Sequence, residues 1–177
     1  MSLDFSKNHF ALFGMPVGFE IDSAALDQAY RDVQREVHPD RFTNATDAEK
    51  RVAAQWATKA NEAYKTLKSP LARGRYILQL NSIDTEEESN TAMPVSFLMQ
   101  QMEWREAVVE ARAAHDEAAL DALARQKRQE EKSLFALLAN QLSSDATMRD
   151  ARETVRKLRF LEKLGEEIDL ASEAIES

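Results

Sequence analysis

Apolar residues recur along this chain three and four positions apart, the spacing of one face of an α-helix. Leu26, Tyr30, Val33 and Val37 make one such stripe, and Ala53, Trp56, Ala60, Ala63, Tyr64 and Leu67 make a second. Phe97, Trp104, Val108 and Ala111 make a third, and Met148, Ala151, Val155 and Leu158 a fourth. Runs rich in β-branched residues are few, so the pattern predicts an all-α protein with little or no sheet.

Prolines and polar caps set the expected boundaries. Residues 8–13 read as a short helix ended by Gly14. Asp22 or Ser23 caps a helix to about Val37, and 41–46 is a polar loop. Asp47 caps a helix to about Lys68, Ser69-Pro70 interrupts it, and 71–80 forms another short helix. Residues 81–93, with Glu86-Glu87-Glu88, read as a linker. Three longer helices follow, over about 94–114, about 116–142 with Asp116 as cap, and from just after Ser143-Ser144-Asp145 to at least Leu164. Gly165 either ends the last helix or is tolerated within it. Short loops make neighbouring helices antiparallel, so the second half predicts a three-helix bundle. The expected domains are 1–75 and 76–177.

Composition sharpens this picture. Only four Gly and four Pro occur in 177 residues, which favours helix. With no cysteine, the chain has no disulfide, no thiol catalysis and no thiolate metal or iron–sulfur site of its own. The first thirteen residues lack a signal-peptide pattern, and no apolar run approaches the roughly 18 residues of a membrane span. The expectation is a soluble, cytoplasmic protein. Net charge is −8, unevenly spread. Residues 1–70 carry nine Lys/Arg against ten Asp/Glu, whereas 71–177 carry fourteen against twenty-one. An acidic chain argues against nonspecific nucleic-acid binding, which needs cations to neutralise phosphates.

Candidate chemistry begins with His38-Pro39-Asp40. Pro39 supplies no backbone N–H and biases His38 away from the helical region, so the first helix stops there and leaves His38 and Asp40 exposed. Arg31 and Arg35 stand four apart, off the apolar stripe, and Arg41 follows the triplet. This small basic patch would steer an acidic partner surface, and Asp40 could accept a bidentate bond from a partner arginine. The alternative is an ordinary turn beside solvated arginines. No nucleophile, pocket signature or metal-ligand spacing accompanies His38 and Asp40. No catalytic residue, metal or cofactor is therefore assigned, and the chain is not expected to be an enzyme.

A second candidate surface lies on the helix from about residue 94. Opposite its core stripe stand Met99, Met102, Glu103, Glu106 and Glu110, with Leu98 and Val109 at the margin. An adaptable apolar centre with a charged rim is common interface anatomy, while core filling by the two methionines stays open. In the last helix Phe160, Leu161 and Leu164 leave the apolar stripe. That helix then buries two faces, and by spacing Phe160 reads as core.

The helix, His-Pro-Asp loop and second helix together resemble a J-domain, and Asn61-Glu62-Ala63-Tyr64-Lys65-Thr66-Leu67 is similar to the end of that family's third helix. J-domains stimulate ATP hydrolysis by heat-shock-type chaperones. The resemblance implies that His38, Pro39 and Asp40 do so here, with Tyr30, Arg31, Arg35 and Arg41 helping to dock. Leu71-Ala72-Arg73-Gly74-Arg75-Tyr76-Ile77-Leu78, the run from Phe97 to Glu106, and Val155-Arg156-Lys157-Leu158-Arg159-Phe160-Leu161 extend the likeness to the HscB co-chaperone family of bacterial iron–sulfur cluster assembly. It implies an N-terminal J-domain hairpin, a C-terminal three-helix bundle and two protein partners, an HscA-type ATPase chaperone and an IscU-type scaffold. It places scaffold binding on Leu98, Met99, Met102, Glu103, Glu106, Glu110 and Phe160. Met102 stands where leucine is more usual, a swap of similar volume. Trp104 and Val109 are also departures. The cysteine-containing metal region of eukaryotic relatives has no counterpart. Two other readings are a general J-domain co-chaperone for unfolded clients and a helical interaction protein without chaperone coupling.

Overall fold

Several helices in this chain begin where the sequence supplies a side chain for the unpaired N–H groups of a first turn. The computed structural model describes residues 6–87 and 92–176. Residues 1–5 of the expected leaderless start and 88–91 of the expected linker lie outside them. Among the described residues there are seven α-helices, one 3-10 turn and no strand. Helix α1, His9–Leu12, is capped by Asn8, whose Oδ1 accepts the Ala11 N–H at 2.8 Å. Gly14, at φ +67°, then turns the chain in a conformation that side chains disfavour. Helix α2, Ser23–Glu36, starts at Asp22, whose Oδ1 accepts the N–H groups of Ala24 and Ala25.

Helix α3, Asp47–Lys68, corrects one expectation: its cap is Thr46, one residue before Asp47. The Glu49 N–H donates to Thr46 Oγ1, and the Thr46 N–H donates to Glu49 Oε2 at 2.8 Å. This reciprocal pair satisfies two donors that an aspartate cap at 47 would leave open. The bonds also hold the Glu49 carboxyl below its ordinary pKa. Helix α4, Pro70–Leu80, follows after Ser69. Helices α5, Val95–Ala114, and α6, Glu117–Gln141, are separated by His115 in the left-handed region and by Asp116, which caps α6. Helix α7, Ala151–Glu176, starts later than its apolar spacing suggested. Residues 144–150 form turns instead, with Ser144 O accepting the Thr147 and Met148 N–H groups.

Gly165 lies within α7. A Cβ at that position would fall 2.8 Å from Lys127 Nζ of α6, and Lys127 pairs with Glu131 at 2.7 Å. The missing side chain gives the lysine stem its room.

The chain divides between Ile77 and Leu78 into two compact units. In the first, α2 and α3 pack as a hairpin, with α1 against α3. Phe10, Leu26, Trp56, Ala60, Ala63 and Leu67 are buried. Tyr30 and Tyr64 stack across the hairpin with centroids 4.1 Å apart. Below them Asp27 receives the Tyr64 hydroxyl at 3.0 Å and Lys68 Nζ at 2.6 Å. In the second unit α5, α6 and α7 form a three-helix bundle. Leu120, Leu134 and Leu138 of α6 and Val155, Leu158, Leu161 and Leu164 of α7 are all buried in it. Each such leucine contributes roughly 2 kcal/mol through burial. Helix α7 does bury two faces, as its two stripes suggested.

Bonds from Lys68 and then from Tyr64 hold the Asp27 carboxyl below its ordinary pKa of 3.8. A depressed pKa adds stability that is fully present above the ordinary value and is lost as pH falls through the lowered one. Asp27→Asn should therefore lower the melting temperature at neutral pH, and its gap to the unsubstituted chain should close on acidification. Thermal melts across pH would check this; a gap independent of pH would contradict it.

Candidate functional site

Helix α2 ends at Val37, whose N–H still bonds to Val33 O at 3.1 Å and whose side chain is buried. His38 is extended, at φ −61° and ψ 134°, because the residue before a proline avoids the helical region. Pro39 then opens the 3-10 turn Pro39–Phe42 at the one position where its missing N–H costs nothing. The turn is closed by the Arg41 N–H donating to His38 O at 3.0 Å. His38 Nδ1 accepts the Asp40 N–H at 3.3 Å and lies 3.5 Å from Asp40 Oδ2. The His38 side chain thereby caps the turn that follows it. Side-chain exposures of 59% for His38 and 87% for Asp40 leave both groups available.

An open groove beside the turn is lined by Arg31, Gln34, Arg35, Val37, His38, Pro39 and Ala57. Arg31 Nη2 donates to Gln28 at 2.8 Å, and Arg35 pairs with Asp32 at 3.2 Å. These exposed pairs fix the arginines only weakly, leaving them free to exchange partners. The sequence singled out Arg31, Arg35, His38 and Pro39 but missed Gln34 and Ala57. Gln34 sits four residues before His38, a signal that helical spacing carries. Ala57 comes from α3 and is brought in by the hairpin alone. Tyr30 does not line this groove: it is half-buried in the α2–α3 seam, with Phe13 edge-on to its ring. Arg41 is exposed on the turn, outside that lining. A second, more apolar hollow that also includes Pro39 is lined by Val37, Phe42, Thr43, Lys50, Ala53, Ala54 and Ala57.

In the second unit, α5 keeps one side bare. Met99 is 57% and Met102 71% exposed, so neither fills the core. Glu103, Glu106 and Glu110 are exposed beside them, and Leu98 is half-buried. Val95 and Val109 extend this apolar surface. The spacing put Val109 at its margin but passed over Val95, which lies at the helix start. Helices α5 and α7 run parallel. Phe97 meets Phe160 edge-on at 6.0 Å, and Arg105 Nε reaches both oxygens of Glu167 at 3.0 Å. One heptad before Arg105 and Glu167 stand Leu98 and Phe160, which places both at the same seam. Phe160 is half-buried there.

Comparison with known proteins bears on both surfaces. The family model described as the HSCB C-terminal oligomerisation domain matches residues 93–169. A protein of Paraburkholderia phymatum named "Co-chaperone protein HscB homolog" is 52% identical over 97% of this chain and 98% of its own length. The chain belongs to the HscB family of co-chaperones. The HscB structure from Vibrio cholerae matches with a TM-score of 0.84 at 35% identity, covering 96% of this chain and 99% of that one. The human HscB crystal structure matches with a TM-score of 0.88 at 32% identity, covering 94% and 83%. Likeness over both units means that this HscB-family chain joins a J-domain hairpin and a C-terminal bundle. Among its described residues no helix is long and apolar enough to cross a membrane.

Behind the bare face, on the core side of α5, Gln101 is 1% exposed, and its amide has no hydrogen-bond partner among the described residues. Burying an unpaired amide is costly, whereas an apolar group of the same shape is not. Gln101→Met should raise the stability of the bundle by about 1 kcal/mol in chemical denaturation. An equal loss would show that the amide is satisfied within the bundle.

Proposed function

We propose that this chain is an adaptor of iron–sulfur protein maturation. The bundle binds an IscU-type scaffold through Leu98, Met99, Met102, Glu103, Glu106, Glu110 and Phe160. The His38-Pro39-Asp40 turn stimulates ATP hydrolysis by an HscA-type chaperone, with Arg31, Arg35 and Arg41 drawing in its acidic surface. Tyr30 acts by holding α2 in place. The protein is cytoplasmic and regulates a partner ATPase without catalysing a reaction itself. Any cluster is cargo carried by the scaffold.

One observation carries this reading: two chemically unlike surfaces are exposed on one HscB-family chain. The turn offers an imidazole, a carboxylate and nearby guanidinium groups. The bundle offers bare thioethers among carboxylates. The first suits charge-assisted bonds to a polar partner surface. The second suits a partner with apolar anchors ringed by lysine or arginine, since the carboxylates would repel an acidic one. Carrying both on one chain raises the effective concentration of scaffold near the chaperone. Hydrolysis would then trap the scaffold in the tight-binding state of the chaperone.

Asp40→Asn should abolish stimulation of the ATPase and leave the scaffold dissociation constant within about twofold, a difference of less than ~0.5 kcal/mol. Alanine at Met99, Met102 or Phe160 should weaken scaffold binding by about tenfold or more each, the loss expected for buried anchors. Stimulation measured without scaffold should survive those alanine changes. Steady-state turnover and calorimetric titration check both; loss of scaffold binding in Asp40→Asn would break the division of labour.

A further inference from the structure

Met99 and Met102 differ from the other described methionines. Met148 is buried at 8% exposure, and Met15 and Met93 are half-buried. Met99 and Met102, one helical turn apart on α5, present their thioethers to solvent at 57% and 71%. The chain has no cysteine, so no thiol competes for oxidants. Thioether oxidation follows exposure, and it converts a flexible apolar side chain into a polar one. These two sulfurs also sit between Val95 and Val109 and among the carboxylates of Glu103, Glu106 and Glu110 on one exposed face.

We propose that Met99 and Met102 are reversible oxidation sites through which peroxide turns off the α5 face; this rests on the scaffold-binding reading above. A sulfur lone pair attacks one oxygen of hydrogen peroxide. The S–O bond forms, the O–O bond breaks, and the departing hydroxide takes up the remaining proton and leaves as water. Sulfur loses two electrons and peroxide gains them. Reversal requires a dithiol reductant of the methionine sulfoxide reductase class: two thiols become a disulfide, and the sulfoxide oxygen leaves as water. Each sulfoxide sets a strong, hydrated dipole where the partner would need an apolar anchor, and burying it unpaired opposes association. Bound scaffold shields the same sulfurs, so the free adaptor is the form that responds.

The test oxidises the full chain alone with hydrogen peroxide, removes the oxidant, and maps oxygen addition by peptide mass spectrometry. Scaffold binding is then measured by calorimetry. Met99 and Met102 should be modified well before Met148, and the scaffold dissociation constant should rise by about tenfold or more. Sulfoxide reductase with a dithiol should restore it. In M99L/M102L the ratio of oxidised to unoxidised dissociation constants should fall to about one, whatever its starting affinity. Oxidation of both residues without a change in affinity would overturn the proposal, as would a loss of affinity that persists in M99L/M102L. Failure of the untreated chain to bind scaffold would instead overturn the underlying reading, and the proposal with it.

Discussion

Presentation of His38 and Asp40 depends on a helix being stopped while its last apolar residue stays buried. Pro39 does the stopping, since it lacks the N–H that another turn of α2 would need. Val37 does the anchoring, packed into the first unit immediately before the triplet. The stop is useful because α2 cannot slide. The Tyr30–Tyr64 stack and the bonds of Tyr64 and Lys68 to Asp27 tie α2 to α3 at several heights. The turn then emerges from a fixed hairpin, and Arg31 and Arg35 face the same groove as His38 because helical spacing requires it.

The second unit solves a different problem. Helix α5 uses one side for the core, through Phe97, Val108 and Ala111, and leaves Met99, Met102 and Val109 bare. Bare apolar groups on a helix invite self-association, and the adjacent Glu103, Glu106 and Glu110 oppose it by like-charge repulsion between copies. The same carboxylates favour a cationic partner. Arg105 and Glu167 hold α5 beside α7, where Phe160 packs edge-on to Phe97 without being fully buried.

Much of this was legible in the sequence because helical periodicity and proline act locally. The stripes on α2, α3, α5 and α7 and the exposed triplet follow from spacing, whereas the two methionines, which spacing left open between core and surface, are placed outward only by the packed bundle. Trp104, placed on the core side by spacing, is half-buried. What spacing could not supply were features set by competition or by another helix. Thr46 displaces Asp47 as a cap because Glu49 completes a reciprocal pair with it. The start of α7 waits for Ala151 because Ser144 O draws the preceding residues into turns. Gly165 is tolerated because Lys127 crosses from α6, and Ala57 joins the groove from α3. Phe160, which spacing read as core, is half-buried, since its ring is shared between Phe97 and the surface.

The central claim is that two surfaces on one chain act together. Its most direct test is steady-state ATP turnover by an HscA-type chaperone, measured with this protein, with an IscU-type scaffold, and with both. The account predicts stimulation by both together that exceeds the sum of the separate effects and disappears in His38→Gln. Stimulation equal to that sum, or indifferent to scaffold, would contradict it.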